Sequence, residues 1–191
     1  MFDFARAIYL YRRFLAWFSG RAVFAFVGIA CVMMVSYGVY LQHQTGVEPC
    51  PMCIVQRYAL LALALVAGLA ALVRRRVVHG VCATLLLMFA LFGAVVAARQ
   101  SWIQWYPPLE GSCGRDWYSQ ITNLPLGKAL PMFFDATGDC SSSDWVFLGG
   151  TIANWTFLCF SLFAVLSIRE LFALRQSVPA ASPASPSCPS P

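Results

Sequence analysis

The sequence predicts an all-α membrane protein, an antiparallel bundle of four transmembrane helices with one large periplasmic loop. Its 191 residues are 60% hydrophobic and only 11% charged, and the mean hydropathy is +0.69. Such a chain has too little polar surface to cover a soluble globule. Four segments free of Asp, Glu, Lys and Arg also approach the roughly 20 residues that a helix needs to cross the hydrocarbon core.

The four predicted spans follow these uncharged segments. They cover residues 22–41, 53–73, 77–98 and 145–168. Only 16 residues separate Arg57 from Arg74, which is short for a membrane helix. The helix of the second span is therefore expected to begin near Pro51 and to carry Arg57 within it.

The positions of the basic residues predict the orientation. Nine of the 13 fall in residues 1–21, 74–76 and 169–191, which a four-span chain places on one side. Arg and Lys near span ends are retained in the cytoplasm, so both termini are expected there. Residues 42–52 and 99–144 then form the two periplasmic loops, the larger of which has three basic and five acidic residues and a net charge of −2. Residues 169–191 end in a stretch rich in Ser, Pro and Ala and are expected to be a disordered cytoplasmic tail.

Four of the eight cysteines fall in the predicted periplasmic loops and are the candidate catalytic residues. Cys50 and Cys53 form a Cys-Pro-Met-Cys motif where the second helix starts, and Cys113 and Cys140 lie in the large loop. Two intervening residues at a helix start bring two sulfurs close enough to bridge, and the helix dipole favours a thiolate there. The remaining cysteines are expected to be buried in spans or idle in the tail: Cys31, Cys82, Cys159 and Cys188.

Two other interpretations of the Cys-Pro-Met-Cys motif stay open. Zinc would require two further ligands, which His43 together with Cys113 or Cys140 could supply. A structural disulfide is the other, although one that closes so short a loop restricts the unfolded chain little. Thiol–disulfide exchange is favoured over both, and no metal is expected.

The cysteine motif continues into longer patterns. Arg57 extends it to Cys-x-x-Cys-x-x-x-Arg, Trp-Ile-Gln-Trp-Tyr-Pro precedes Cys113, and Gly-Asp-Cys ends at Cys140 before Trp-Val-Phe-Leu-Gly. Over about residues 21–168 this combination resembles the DsbB family, the quinone reductases of the bacterial inner membrane. Quinone reductases related to vitamin K epoxide reductase carry their Cys-x-x-Cys after the loop pair, whereas here it comes before.

The resemblance implies a thiol:quinone oxidoreductase that forms disulfide bonds. Reduced DsbA, a thioredoxin-like periplasmic dithiol protein, would attack Cys113, and the released Cys140 would attack Cys50. Cys53 would then be the thiolate beside a ubiquinone or menaquinone. A paralogue with a dedicated partner or a reductase direction remains an alternative, as does a metal-handling or structural membrane protein.

Arg57 is the predicted quinone-binding residue. It follows Cys53 by four positions, so both side chains share one helix face. A charge inside a membrane helix is costly, and a guanidinium can donate hydrogen bonds to a quinone carbonyl. The alternative is that Arg57 snorkels to the headgroups.

One feature departs from the family pattern. Some members have a histidine just before the Trp-x-Gln stretch, where this chain has Arg99 and Gln100. A proton route that uses that histidine is therefore in doubt in this chain. His43 is a candidate substitute, although an exposed loop position is favoured for it.

The predicted orientation can be tested by thiol labelling. In intact, reduced cells, a membrane-impermeant thiol reagent is expected to label at least one of Cys50, Cys113 and Cys140, because these face the periplasm. Cys188 is expected to stay unlabelled until the cells are permeabilised. Labelling of Cys188 in intact cells would reverse the topology.

Overall fold

The computed structural model describes residues 20–46, 49–107, 140–141 and 145–176. These contain four long helices, α1 (Arg21–Thr45), α2 (Pro51–Leu72), α3 (Arg76–Trp105) and α4 (Ile152–Gln176). All four are long and apolar enough to cross a membrane, which confirms the predicted four-helix membrane fold. Most of the predicted N-terminal segment 1–21 and tail 169–191, Cys113 and most of the large loop lie outside the described residues.

The ends of the helices differ from the predicted spans in both directions. α3 continues to Trp105 instead of ending at residue 98, because exposed Arg99 can stay in the helix without entering the bilayer core. α4 begins at Ile152 instead of residue 145 and continues to Gln176. The residues before it are apolar enough to extend a span, but they form a hairpin instead.

That hairpin pairs β1 (Val146–Phe147) with β2 (Gly150–Thr151) in antiparallel register. Its turn is Leu148 and Gly149, with φ of 50° and 78°. Two consecutive positive φ angles are typical of the tight turns that join hairpin strands. The indole Nε1 of Trp155 donates to the Phe147 carbonyl at 3.0 Å, which holds the hairpin against the first turn of α4.

The start of α2 is set by local chemistry. Cys50 precedes the helix with extended backbone, and its Sγ accepts a hydrogen bond from the Cys53 amide at 3.3 Å. Pro51 occupies the first helical position, where its missing N–H has no partner to lose. The helix therefore starts with the dithiol in its first turn.

Along the chain, each helix packs closely against the next, and the contact between α3 and α4 is the most extensive. Small residues line these contacts, and the buried rings of Phe24 and Phe160 fill the core. At Gly93, a Cβ would overlap the Phe160 ring. Helices in lipid gain little from the hydrophobic effect, so such close approach supplies much of their association.

At the end of the bundle marked by Arg21, Arg76 and Arg175, here the arginine end, side chains bind the backbone of neighbouring helices. Arg21 Nε donates to the Ala71 carbonyl of α2 at 2.7 Å, and Glu170 of α4 accepts from the Gly20 amide at 3.1 Å. Helix ends leave backbone groups without helical partners, and these contacts satisfy several of them. Two further side chains do the same: His79 Nε2 contacts the carbonyls of Ala70 and Val73, and Arg76 donates to the Leu174 carbonyl.

Gly93 provides a test of the α3–α4 contact. Gly93→Ala should lower the free energy of unfolding by about 1–3 kcal/mol, since the Phe160 ring must move to admit a methyl group. The measurement is thermal unfolding in detergent. Gly80→Ala on the same helix is the matched control, because a Cβ there meets nothing within 4 Å. Equal unfolding midpoints for the two variants would contradict the packing described.

Candidate active site

Three of the four predicted cysteines come together at the start of α2. The Sγ atoms of Cys50 and Cys53 are 3.0 Å apart, and Cys140 is hydrogen-bonded to Cys50. Cys50 is 3% exposed and Cys140 is 0% exposed. Cys50 thus lies between the other two sulfurs, although Cys140 is 90 residues away in the sequence. Cys113 lies outside the described residues.

The environment of Cys50 favours its protonated form. The hydrogen bond with Cys140, the hydrogen bond with Cys53 and burial all raise the pKa of the Cys50 thiol. Burial penalises the charged form, and so does a hydrogen bond that uses the thiol proton. Of the contacting sulfurs, Cys50 is therefore suited to be attacked while in a disulfide rather than to act as a free thiolate.

A residue that sequence reasoning did not single out, Gln100 of α3, binds the dithiol directly. Its Nε2 donates to Sγ of Cys53 at 3.2 Å and to Sγ of Cys50 at 3.4 Å. Its side chain is 4% exposed. The only signal in the sequence was that glutamine stands near the place where some relatives of the predicted family have histidine.

The Gln100 amide is held by a chain of hydrogen bonds from two other helices. Gln56 of α2 donates from Nε2 to Gln100 Oε1 at 2.8 Å, and Thr156 of α4 donates to Gln56 Oε1 at 2.8 Å. The Thr156 hydroxyl also lies 3.0 Å from the carbonyls of Ile152 and Ala153 in its own helix. Because Gln100 Oε1 accepts from Gln56, the Nε2 end of the Gln100 amide faces the sulfurs.

Arg57 lies one turn beyond Cys53, and both line the same cavity, as their spacing predicts. Arg57 Nη1 donates to Gln42 Oε1 of α1 at 3.1 Å. The guanidinium also interacts electrostatically with the sulfurs of Cys50 and Cys53. Gly38 of α1 lies beside it, and a Cβ there would make an ordinary contact with Arg57 Nη2 at 4.0 Å. The half-buried Arg57 therefore faces the dithiol across the helix surface.

The cavity has a volume of about 440 Å³ and is bounded by all four helices and the hairpin. Its polar groups gather around the dithiol, and its remaining lining is largely apolar and aromatic. The aromatic side chains are in contact as a row from α1 through the hairpin to α4: Tyr37, Trp145, Phe147 and Trp155. Their ring centroids are 5.9–6.4 Å apart. This row forms one wall of the cavity.

The structure distinguishes among the cysteines predicted to be buried in spans. Cys31 and Cys82 are buried among packed helices, in agreement with that prediction. Cys159 is only half-buried and lines the cavity, so it differs from them. It also packs against the hydrophobic core, in agreement with the predicted packing role.

The described residues offer little support for His43 as part of a proton route or for a metal site at the cysteines. His43 is exposed in the last turn of α1 and is not among the residues lining the cavity. In the described ranges, no three His, Cys, Asp or Glu side chains are arranged to hold a metal ion.

Comparison with known proteins identifies the family of the chain. The family model described as disulfide bond formation protein DsbB matches residues 20–169. The chain is 56% identical over 154 residues to disulfide bond formation protein B of Albidiferax ferrireducens, covering 81% of this chain and 88% of that protein. The protein of the same name from an Acidovorax species is 55% identical over 76% of this chain and 84% of its own. The chain therefore belongs to the DsbB family of multi-pass membrane proteins, oxidoreductases that act in disulfide bond formation.

Proposed function

We propose that this chain reoxidises a periplasmic thioredoxin-like dithiol protein of the DsbA type and passes the electrons to membrane quinone. The observation that carries the proposal is the position of Cys50 between Cys140 and Cys53. Thiol–disulfide exchange transfers a disulfide through one central sulfur, which is attacked on one side and releases a thiolate on the other. The order of the three sulfurs supports a transfer from the Cys140 side to Cys53.

Each exchange conserves atoms and electrons. A partner thiolate attacks Cys113, so that a mixed disulfide forms, the Cys113–Cys140 bond breaks and Cys140 leaves as a thiolate. The second partner thiol then displaces Cys113, which completes the partner's disulfide. Cys140 attacks Cys50, so that a Cys50–Cys140 bond forms and the electron pair of the broken Cys50–Cys53 bond remains on Cys53. Attack of the Cys113 thiolate on Cys140 restores the loop disulfide and leaves Cys50 and Cys53 as the reduced pair.

The cavity beside Cys53 suits a quinone ring. Its volume of about 440 Å³ falls in the range of small-molecule sites, and an apolar lining with a few converging polar groups is typical of them. Arg57 and Gln42 would hold a carbonyl oxygen by hydrogen bonds, while the aromatic wall would cover the ring. A bound quinone would accept two electrons and two protons from the reduced pair, the Cys50–Cys53 disulfide would re-form, and the quinone would leave as quinol. Ubiquinone and menaquinone both meet these requirements.

The location follows from the same proposal. With the arginine end in the cytoplasm, the cysteine end of the bundle, at Cys50 and Cys53, faces the periplasm of a bacterial inner membrane. A dithiol partner in that compartment would reach Cys113 without crossing the bilayer.

The relay is tested in purified protein. Adding reduced DsbA-type protein should give a quinone absorbance change with the wild-type chain, and no such change would refute the proposed function. Cys140→Ser should abolish the change, because the chain can no longer form the loop disulfide that the partner attacks. With oxidised partner in place of reduced partner, the free Cys113 thiolate of this variant should attack the partner's disulfide and give a mixed disulfide. Non-reducing electrophoresis detects that species.

Two matched thiol replacements serve as controls for the relay. Cys31→Ser and Cys82→Ser should keep near-normal turnover, since both side chains are packed away from the cavity. Full activity in the double variant Cys113→Ser/Cys140→Ser would remove the loop pair from the mechanism.

Arg57 should act on quinone and not on the dithiol partner. Arg57→Ala should raise the apparent KM for quinone by about tenfold or more, the effect of losing a hydrogen bond from a charged group. Arg57→Lys should recover only part, because an ammonium lacks the guanidinium fork. Stopped-flow quinone reduction over a range of quinone concentrations measures this, with formation of the mixed disulfide at Cys113 as the unaffected step.

The control for Arg57 is Arg99→Ala. It removes the same charge from an exposed site near the same end of the bundle, and near-normal quinone kinetics are expected. If Arg57→Ala and Arg99→Ala gave the same KM as the wild type, Arg57 would have no part in binding quinone.

A further inference from the structure

The dithiol has a hydrogen-bond donor that does not belong to its own helix. The Gln100 amide reaches from α3 to both sulfurs, with Nε2 at 3.2 Å from Cys53 and 3.4 Å from Cys50. These two sulfurs form the bond that breaks when the disulfide of α2 is opened. Because Gln100 is 4% exposed, little water competes for its N–H groups.

The other atoms of the amide are committed elsewhere. Gln100 Oε1 accepts from Gln56, whose own Oε1 accepts from Thr156. Gln56 is also 4% exposed, so breaking this chain would leave polar groups buried without partners. Rotating the Gln100 amide by half a turn would place its oxygen against sulfur and its N–H₂ against the Gln56 N–H₂. The chain therefore opposes that rotation and keeps donors on the sulfurs.

We propose that Gln100 is a further catalytic residue, which stabilises the negative charge that develops on Cys53 as the Cys50–Cys53 bond breaks. Gln56 and Thr156 are positioning residues, because they fix the amide without touching sulfur. The inference rests on the proposed exchange reaction and deepens it by naming the donor from α3.

The step balances within the chain. The Cys140 thiolate attacks Cys50, the Cys140–Cys50 bond forms, and the Cys50–Cys53 bond breaks with its electron pair on Cys53. Gln100 supplies hydrogen bonds and no proton, since a carboxamide neither gains nor loses a proton near neutral pH. It can hold the thiolate without protonating it, so the electron pair stays available on sulfur.

Gln100 and Arg57 act on Cys53 from different helices. Arg57 is on α2 and carries a full charge, whereas Gln100 is neutral and lies on α3. A neutral donor stabilises the thiolate without requiring a second buried cation, which would need its own counterion. Hydrogen bonds that involve an ionised group are also stronger than those between neutral groups, so the benefit grows as the charge forms.

The proposal is tested on the reduced, full-length chain without quinone. Thiolate formation is followed by ultraviolet absorbance against pH, and the Cys53 signal is the difference from a Cys53→Ala protein. Gln100→Leu should move the Cys53 midpoint to higher pH by about one unit, which is a tenfold loss of thiolate at a fixed pH. Thr156→Val should raise the Cys53 midpoint by a smaller amount. Thr156→Ser keeps the hydroxyl and should give the wild-type midpoint.

Ser101→Ala is the matched control. Ser101 is the next residue on α3, and its buried hydroxyl has no hydrogen-bond partner among the described residues, so its removal should leave the midpoint unchanged. If Gln100→Leu does not fold, Gln100→Met decides, because it keeps the length of the side chain and adds no charge but has no N–H donor. It too should give a higher midpoint.

A wild-type midpoint in Gln100→Leu, or in Gln100→Met where that variant is needed, would overturn the role of Gln100. A normal midpoint in Thr156→Val beside a shifted Gln100→Leu would overturn the positioning role. Neither titration involves quinone. Absence of quinone reduction by the wild-type chain would therefore refute the proposed function separately, without changing the result for Gln100.

Discussion

The hydrogen bond from the Cys53 amide to the Cys50 sulfur is the contact on which the arrangement of the site depends. It makes a redox sulfur the N-terminal cap of α2, so the helix begins at the dithiol and not beside it. The 3.6-residue period of the helix then fixes the direction of the next side chains. Gln56 and Arg57 come about one turn after Cys53, and both line the same cavity as the dithiol. One local contact thus determines where the motif presents its chemistry.

Polar side chains inside a membrane bundle must satisfy one another, and this requirement joins the helices around the dithiol. Gln56, Gln100 and Thr156 come from three helices and form one directed chain that ends on sulfur. An unsatisfied amide in such surroundings is costly, so losing one member affects the others. The same network that stabilises the packing of α2, α3 and α4 therefore also orients the donor at the reactive atoms.

Sequence reasoning was most successful where the determinants are local. Spans follow from uncharged runs, and the relation of Arg57 to Cys53 follows from helical spacing. It failed at residues 145–151, where an apolar stretch predicted a helix but Leu148 and Gly149 form a hairpin turn. It also missed Gln100, since the rotation of α3 within the bundle depends on packing contacts such as that of Gly93 with Phe160 of α4. The contact of Cys50 with Cys140 spans 90 residues, and no local pattern encodes its geometry.

The two ends of the bundle differ in a way that fits exchange chemistry. At the arginine end, side chains such as Arg21 and Glu170 bind the backbone of adjacent helices, which limits their separation. At the cysteine end, the four helices surround a cavity that aromatic rings line. The proposed disulfide exchange would require the sulfur that bonds to Cys50 to change while the start of α2 stays in place. The contacts at the arginine end hold the helices together, and the cavity lies beside the sulfurs, so both requirements are met. Cys140 comes from a loop, whereas Cys53 lies in the first turn of α2.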